Sequence, residues 1–397
     1  MSRWKKIQKE LIKKSIWGEK LDLVEQEVSS GKVVGTVWYK KNTSPKKGVV
    51  LIHGMMGNRH VLATLAKRLA EGGFLCLSID LPHHYKNPLP LTLGNLSEEI
   101  TESVKFIKYN YGVNKVAIIG HSLGAIGALF SCFGYNNEIE KSIYQFWEAL
   151  LRLVEYESVL AEKKDFKTLS EVINKAEEVY DKMKLVILYS LKKRISEGVD
   201  VGCYILLSPP SNIKISIPGM SLLRNVEHKK LKPMFEFFLH KHQVRMTLKE
   251  GNLTKYVPEK DQEYFNWLFF KTKDIHSFME YMSKLNEPFD FITLIEKLIK
   301  LKHVDQKVGF FEYYYNKYFL SKPKLFVYGM RDLTLMPFLP WKRNRLENFY
   351  KGCGNAQIIR GSFSHSILEN EKQQVSSIAM DNSGITEMIM MYLDKYI

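Results

Sequence analysis

The order of apolar segments along the chain is the feature that most constrains its fold. Three short runs rich in β-branched residues, GVVLIHG (48–54), FLCLSIDLP (74–82) and KVAIIG (115–120), alternate with helical patterns. Those helical patterns lie at 61–73, at about 97–111 and at 122–133. Apolar strands that alternate with helices predict a parallel sheet covered by helices on both faces.

The same rhythm returns late in the chain, and a different one precedes it. Strand patterns recur at 198–210, 323–329 and 355–362, with helices at about 341–352 and 384–397. Before residue 48, two β-rich runs are joined at Ser30-Gly31, which predicts a hairpin within 21–41. Two long inserts interrupt the sheet, one helical and charged, the other helical and aromatic-rich. Inserts of this length between core strands usually cover something.

The sharpest motif is Gly120-His121-Ser122-Leu123-Gly124, which matches G-x-S-x-G. An apolar strand leads into it and a helical pattern leads out, the context that this motif requires. Its glycines allow a tight turn that would hold Ser122 exposed at the strand end, where a helix N-terminus favours developing negative charge. The motif predicts a nucleophilic serine; the alternative is an ordinary turn with a capping serine.

A serine hydroxyl needs a base to take its proton as it attacks. His365 follows the last predicted strand, and Asp332 follows the strand before it. Both should lie at the carboxyl ends of parallel strands, the edge where Ser122 also emerges. We therefore predict His365 as the general base and Asp332 as the carboxylate that orients it, in the chain order Ser, Asp, His.

A tetrahedral intermediate also needs hydrogen-bond donors for its oxyanion. The backbone N–H of Leu123, directly after the serine, is the first predicted donor. The second is the N–H of Met55, in the Gly-containing loop that follows the strand at 48–54.

These elements closely resemble the α/β-hydrolase superfamily over most of residues 21–135, 198–211 and 322–397. The resemblance implies an α/β-hydrolase fold with a mostly parallel eight-stranded sheet, helices on both faces and helical lid insertions. Ser122, His365 and Asp332 match the family's catalytic positions, and Met55 and Leu123 match its oxyanion-hole positions. Serine at the turn disfavours haloalkane dehalogenase chemistry, and the insert at 135–198 departs from the simplest family pattern.

The resulting division of the chain has six parts. The predicted parts are an N-terminal basic amphipathic helix (1–20), core segments at 21–134, 199–211 and 323–397, a helical insertion (135–198) and a helical lid (212–322). The N-terminal helix places Trp4, Ile7 and Leu11 on one face among lysines. It either packs across the core, which we favour, or makes peripheral contact with a membrane interface.

The leading functional hypothesis is a serine hydrolase that cleaves a small-molecule carboxylic ester through an acyl-enzyme. A peptidase or acyl-peptide hydrolase and a thioesterase would use the same triad. A non-catalytic binding protein on the same scaffold is the alternative from another class.

Composition excludes several other classes. The 397 residues contain 25% charged and 45% hydrophobic residues, which are globular values, and a formal net charge of +15. The four cysteines are widely spaced and read as buried thiols, so we predict a cytoplasmic protein without disulfides. Adjacent histidines such as His83 and His84 point apart, and no HExxH-like spacing occurs, so we predict no metal and no cofactor. The basic residues are dispersed, so we predict no nucleic-acid partner. The sequence leaves the oligomeric state open.

Overall fold

The structure is a computed structural model that describes part of the chain. The described residues are 22–54, 57–132, 134–141, 200–210, 320–332, 339–363 and 383–397, with isolated positions at 185–186, 189, 193, 335 and 337. The predicted N-terminal helix, most of the insertion at 135–198 and most of the lid at 212–322 lie outside them.

The described strands form one sheet of eight. They are β1 (Leu23–Ser30), β2 (Val33–Lys40), β3 (Lys47–Ile52), β4 (Leu75–Ile79), β5 (Lys115–His121), β6 (Cys203–Leu207), β7 (Lys324–Gly329) and β8 (Ala356–Gly361). Their order is β1-β2-β4-β3-β5-β6-β7-β8. The first two pairings, β1 with β2 and β2 with β4, are antiparallel, and every later pairing is parallel. The predicted hairpin and the mostly parallel eight-stranded sheet are both confirmed.

Helices cover both faces of this sheet, as predicted. The main helices are α1 (Ala63–Glu71), α2 (Leu93–Tyr111), α3 (Leu123–Cys132), α4 (Pro340–Gly352) and α5 (Ser383–Tyr396). Helices α2, α3 and α4 share one apolar core, and α1 and α5 pack in the other. None of the helices in the described part of the chain is long and apolar enough to cross a membrane.

One helix begins earlier than the sequence predicts. The prediction placed the start of α2 at about residue 97, but α2 begins at Leu93. Thr92 is the reason, because its side chain accepts the N–H of Asn95 at 2.9 Å and so caps the helix. The predicted start at about residue 97 was therefore wrong.

Three neighbouring strands end at the same level. Ile52 of β3 pairs with Ile79 of β4 on one side and with Gly120 of β5 on the other. The chain therefore leaves all three strands at one edge, and the loops that follow them lie side by side. This edge is the carboxyl edge of the sheet.

A buried ion pair joins the first two of these loops. The side chains of Arg59 and Asp80 are 1% and 0% exposed. Asp80 accepts the backbone N–H of Arg59 at Oδ1 and its Nε–H at Oδ2, both at 2.8 Å, while the guanidinium also donates to the carbonyl of Gly35 at 2.7 Å. Removing one partner of such a pair leaves a buried charge unpaired, which typically costs about 3–5 kcal/mol.

His84 belongs to the second of these loops and is buried, whereas its neighbour His83 is exposed. The Nδ1 atom of His84 lies 2.8 Å from the carbonyl of Pro82, so it carries the proton and donates. Burial lowers the pKa of His84 to about 4. The folded state thus keeps this imidazole neutral.

We predict that His84 makes stability pH-dependent. Between an unfolded-state pKa of about 6.5 and the folded value of about 4, the unfolded chain binds the extra proton, so the free energy of unfolding falls by about 1.4 kcal/mol per pH unit as the pH drops. A His84→Asn variant, whose amide can still donate to Pro82, should show a shallower dependence in urea unfolding between pH 7 and 4.5. The matched control is His83→Asn, because Asn tolerates the φ of 62° at this exposed position. Equal slopes in the wild type and His84→Asn would contradict the prediction.

Candidate active site

Ser122 lies in a strained turn between β5 and α3. Its φ is +51°, the left-handed region that a residue with a side chain rarely adopts. Its N–H donates to the carbonyl of Leu207 in β6 at 2.8 Å, and its own carbonyl accepts the N–H of Ala125 at 3.1 Å. The side chain is partly exposed at the carboxyl edge of the sheet. Backbone strain of this kind costs about 1–3 kcal/mol and persists only where the surroundings impose it.

The two glycines of the motif make this turn sterically feasible. A Cβ atom at Gly120 would lie 2.5 Å from the carbonyl oxygen of Gly124. One at Gly124 would lie 2.5 Å from the carbonyl oxygens of both Ile52 and His53. The first helical turn of α3 can therefore fold back over β5 and against the end of β3 only because both positions lack side chains.

His53, directly after β3, is fully buried and bonded through both ring nitrogens. Its Nε2 accepts the N–H of Leu81 at 3.0 Å, so the proton must be on Nδ1, which donates to the carbonyl of Gly54 at 2.6 Å. Burial, reinforced by the neighbouring His84, holds the pKa of His53 well below its usual range. The neutral form is required here, because a protonated Nε2 could not accept from Leu81.

The loop after β3 meets Ser122 at Gly54. A Cβ atom at Gly54 would lie 3.0 Å from Cβ of Ser122 and 2.9 Å from Nδ1 of His121. The Gly54 carbonyl accepts a second bond, from the N–H of Gly57 at 3.1 Å. Gly54, whose carbonyl direction is fixed by these bonds, is thus packed against Ser122. Met55, the next residue, lies outside the described residues.

Asp332 follows β7 at the same edge and is fully buried. Its N–H donates to the carbonyl of Gly329 at 3.0 Å, and its Oδ1 accepts the N–H of Leu335 at 2.9 Å. Strands β5 and β7 are separated by β6 alone, which places the ends of the two strands about 10 Å apart.

The chain that leads to His365 runs beside the Asp332 loop. Arg331 donates its N–H to the carbonyl of Phe363 at 3.1 Å, and Met330 donates to Gly361 at 2.8 Å. His365 itself lies two residues beyond Phe363 and outside the described residues. Ser122, Leu123 and Asp332 are therefore described at the carboxyl edge, whereas the placement of His365 and Met55 stays a prediction.

The roles of His53 and Arg59 in holding the loop after β3 were not predicted from the sequence. A polar residue directly after an apolar strand and before a glycine is a signal that could have identified His53. Nothing local distinguishes Arg59 from an exposed arginine, because its partner Asp80 lies 21 residues away. Both residues hold the loop after β3 in place.

Comparison with known proteins agrees with this architecture. Residues 48–132 match the family model described as alpha/beta hydrolase fold. A search of curated proteins finds no match.

Solved structures that resemble the chain include two esterases and an epoxide hydrolase. The esterase Pf2001 of Pyrococcus furiosus has 16% identity and a TM-score of 0.46, with 95% of this chain and 91% of that chain covered. The esterase EaEST of Exiguobacterium antarcticum has 13% identity and a TM-score of 0.47, with coverages of 91% and 98%. The epoxide hydrolase VrEH1 of Vigna radiata has 13% identity and a TM-score of 0.49, with coverages of 94% and 99%.

The family match spans β3 to α3 and so contains both the His53-Gly54 loop and the turn at Ser122. The described sheet has eight strands in all, with helices on both faces. Together these observations give the chain the α/β-hydrolase fold.

Proposed function

We propose that this protein is a serine hydrolase that cleaves carboxylic esters through an acyl-enzyme. The observation that carries the proposal is Ser122, held at a φ of +51° at the N-terminus of α3 and packed against Gly54. A strained, partly exposed serine at a helix N-terminus is suited to attack a carbonyl carbon, because the helix end stabilises the negative charge that develops. The leucine after it, Leu123, opens the helix, so its N–H has no intrahelical acceptor.

In the proposed reaction, Ser122 Oγ forms a bond to the ester carbonyl carbon while His365 accepts the hydroxyl proton. The tetrahedral intermediate collapses as His365 passes that proton to the departing alcohol, and an acyl-Ser122 ester remains. Water then attacks this ester with His365 as base, which releases the carboxylic acid and restores the serine. Asp332 fixes the tautomer of His365. The bonds between Arg331 and Phe363 and between Met330 and Gly361 support this assignment, because they bring the chain before His365 to the Asp332 loop.

His53 is proposed as a positioning residue for the oxyanion hole. In a trans peptide the N–H points opposite to the preceding C=O. The carbonyl of Gly54 is directed by two donors, His53 Nδ1–H and Gly57 N–H. The N–H that follows Gly54, which belongs to Met55, would then point away from His53. With Leu123 N–H it would form the two-donor oxyanion hole.

Esters are the proposed substrates because an alkoxide leaves more readily than an amide nitrogen. Peptidase and thioesterase activities would use the same residues, and a panel of p-nitrophenyl esters, acyl-CoA thioesters and peptide amides separates the three. Labelling of Ser122 by a fluorophosphonate is expected in all three cases. A chain that does not label would instead be a non-catalytic binding protein.

We predict that Ser122→Ala lowers p-nitrophenyl ester turnover by at least about 10³-fold, because the nucleophile is lost. The matched control is Ser131→Ala in the same helix, where the buried hydroxyl donates to the carbonyl of Ala128 in the turn before it. The control should keep wild-type kcat and fluorophosphonate labelling. Wild-type turnover by Ser122→Ala would refute the assignment of the nucleophile.

We predict that His53→Leu lowers kcat by up to about 100-fold with little change in KM, because a misdirected oxyanion donor weakens transition-state binding. His53→Asn keeps a donor near the Nδ1 position and should recover much of this loss. Since His53 stays neutral, neither variant should move the pKa values seen in the pH profile of kcat. Disappearance of the acidic limb in His53→Asn would mean that His53, not His365, is the base. Urea midpoints separate a loss of activity from a loss of folding.

A further inference from the structure

One peptide unit at the end of β6 joins the strands on either side of it. The carbonyl of Leu207 and the N–H of Ser208 belong to this planar unit. The carbonyl accepts the N–H of Ser122 at 2.8 Å, and the N–H donates to the carbonyl of Val327 in β7 at 2.7 Å. The backbone of Ser122 therefore depends on the orientation of this unit, and a rotation of the unit would weaken both bonds together.

The backbone of Ser208 is strained. Its φ is +48°, in the left-handed region that a residue with a side chain rarely adopts. Pro209 follows, and steric contact with a proline ring favours extended conformations with negative φ in the residue before it. The side chain of Ser208 is fully buried, and its hydroxyl has no hydrogen-bond partner within the part of the chain that the structure describes. The side chain thus does not compensate for the strain, so the contacts around Ser208 must impose the conformation.

Helix α4 supplies such a contact. The hydroxyl of Tyr350 donates to the carbonyl of Pro209 at 2.6 Å. The Tyr350 ring is fully buried and stacks on Phe326 of β7, with a centroid distance of 4.3 Å and an interplanar angle of 20°. Because the stacked ring cannot shift without losing this packing, it holds the hydroxyl in place, and the hydroxyl holds the carbonyl of Pro209.

Few rotatable bonds separate that carbonyl from the strained residue. The pyrrolidine ring fixes φ of Pro209. A constraint on the Pro209 carbonyl is therefore passed to Ser208 and to the peptide unit before it with little loss. Without the Tyr350 hydroxyl, Ser208 could relax toward a conformation of lower energy and turn the Leu207 carbonyl away from Ser122.

Tyr350 keeps its proton at neutral pH. Burial, reinforced by the carboxylate of Asp332, holds the pKa of Tyr350 well above its usual range. The hydroxyl therefore stays a donor to Pro209 over the range of pH in which a histidine base would titrate.

We propose that Tyr350 is a positioning residue for the active site, which acts through Pro209 to hold the end of β6 in the strained form that supports Ser122. This inference rests on the proposed function, because it assigns Tyr350 a part in the reaction of Ser122. Tyr350 touches no reacting atom. It acts on the rate of the reaction by keeping the backbone of the nucleophile in its place.

The test is Tyr350→Phe in the full-length chain, which keeps the stacked ring and removes only the hydroxyl. We expect kcat for a p-nitrophenyl ester to fall about three- to tenfold, the loss typical of one hydrogen bond, with little change in KM. The rate at which a fluorophosphonate labels Ser122 should fall by the same factor. Because Tyr350 acts through the backbone, the pKa values in the pH profile of kcat should stay where they are in the wild type.

The matched control is Tyr392→Phe on α5, which removes the hydroxyl of a buried tyrosine in the core on the other face of the sheet. This variant should keep wild-type kcat and labelling. Urea midpoints of both variants show whether the protein is folded under the conditions of the assay.

A second variant tests how the effect is transmitted. In Ser208→Gly the residue adopts a φ of +48° without steric cost, so less strain is left for Tyr350 to hold. The loss that Tyr350→Phe causes should therefore be smaller in the Ser208→Gly background than in the wild type. The same coupling should appear in the free energy of unfolding, which is measured without any substrate.

Several results would overturn the proposal. They are wild-type kcat and labelling in Tyr350→Phe, an equal loss in Tyr392→Phe, or the same loss in both backgrounds. A shifted pH profile in Tyr350→Phe would also overturn it, because the hydroxyl would then act on the charge of Asp332. A wild-type protein that does not label would instead refute the proposed function. Failure of the proposed function and failure of the role of Tyr350 are therefore distinguishable.

Discussion

Ile52, Ile79 and Gly120 lie side by side in the parallel register of three neighbouring strands, so the chain leaves β3, β4 and β5 at the same level. Parallel strands joined by helices all end at one edge of the sheet. Each crossover returns the chain to the opposite edge, where the next strand begins. The consequence is that segments far apart in sequence meet at one edge. Gly54, Asp80 and Ser122 become neighbours through the register of the sheet, before any side chain makes a specific contact.

Side chains then fix what the register brings together. The loop after β3 is held twice by the loop after β4, through the Arg59–Asp80 ion pair and through the bond from Leu81 N–H to His53 Nε2. Both contacts are buried, so loss of either partner would leave a polar group without compensation. The same burial keeps His53 neutral, and only the neutral ring can accept from Leu81 while it donates to Gly54. The burial of His53, its tautomer and the direction of the Gly54 carbonyl thus depend on one another.

Much of the fold could be predicted from sequence because its signals are local. Each core strand is a short apolar run, and the turn at Ser122 is marked by glycines whose absent side chains the packing requires. Local sequence signals do not predict a feature that depends on a capping side chain or on a partner distant in sequence. The start of α2 depends on the Thr92 side chain, and the burial of Arg59 depends on Asp80. For the site, the sequence indicated Ser122, Leu123 and Asp332 at the edge where they lie, but the two bonds that direct the Gly54 carbonyl were not predicted.

Helix α4 shows how contacts along a helix can offset an unfavourable charge pattern at its start. A helix that follows a parallel strand begins at the carboxyl edge, so its first turn is near any site built there. The partial positive charge of the helix start would favour acidic residues there, yet the first turn of α4 contains Lys342 and Arg343 and no acidic residue. Contacts further along the helix offset this cost, since the buried Tyr350 hydroxyl donates to the carbonyl of Pro209 at 2.6 Å and Glu347 accepts from Arg360. The packed half of α4 thereby allows its first turn to carry charges that the helix alone would disfavour.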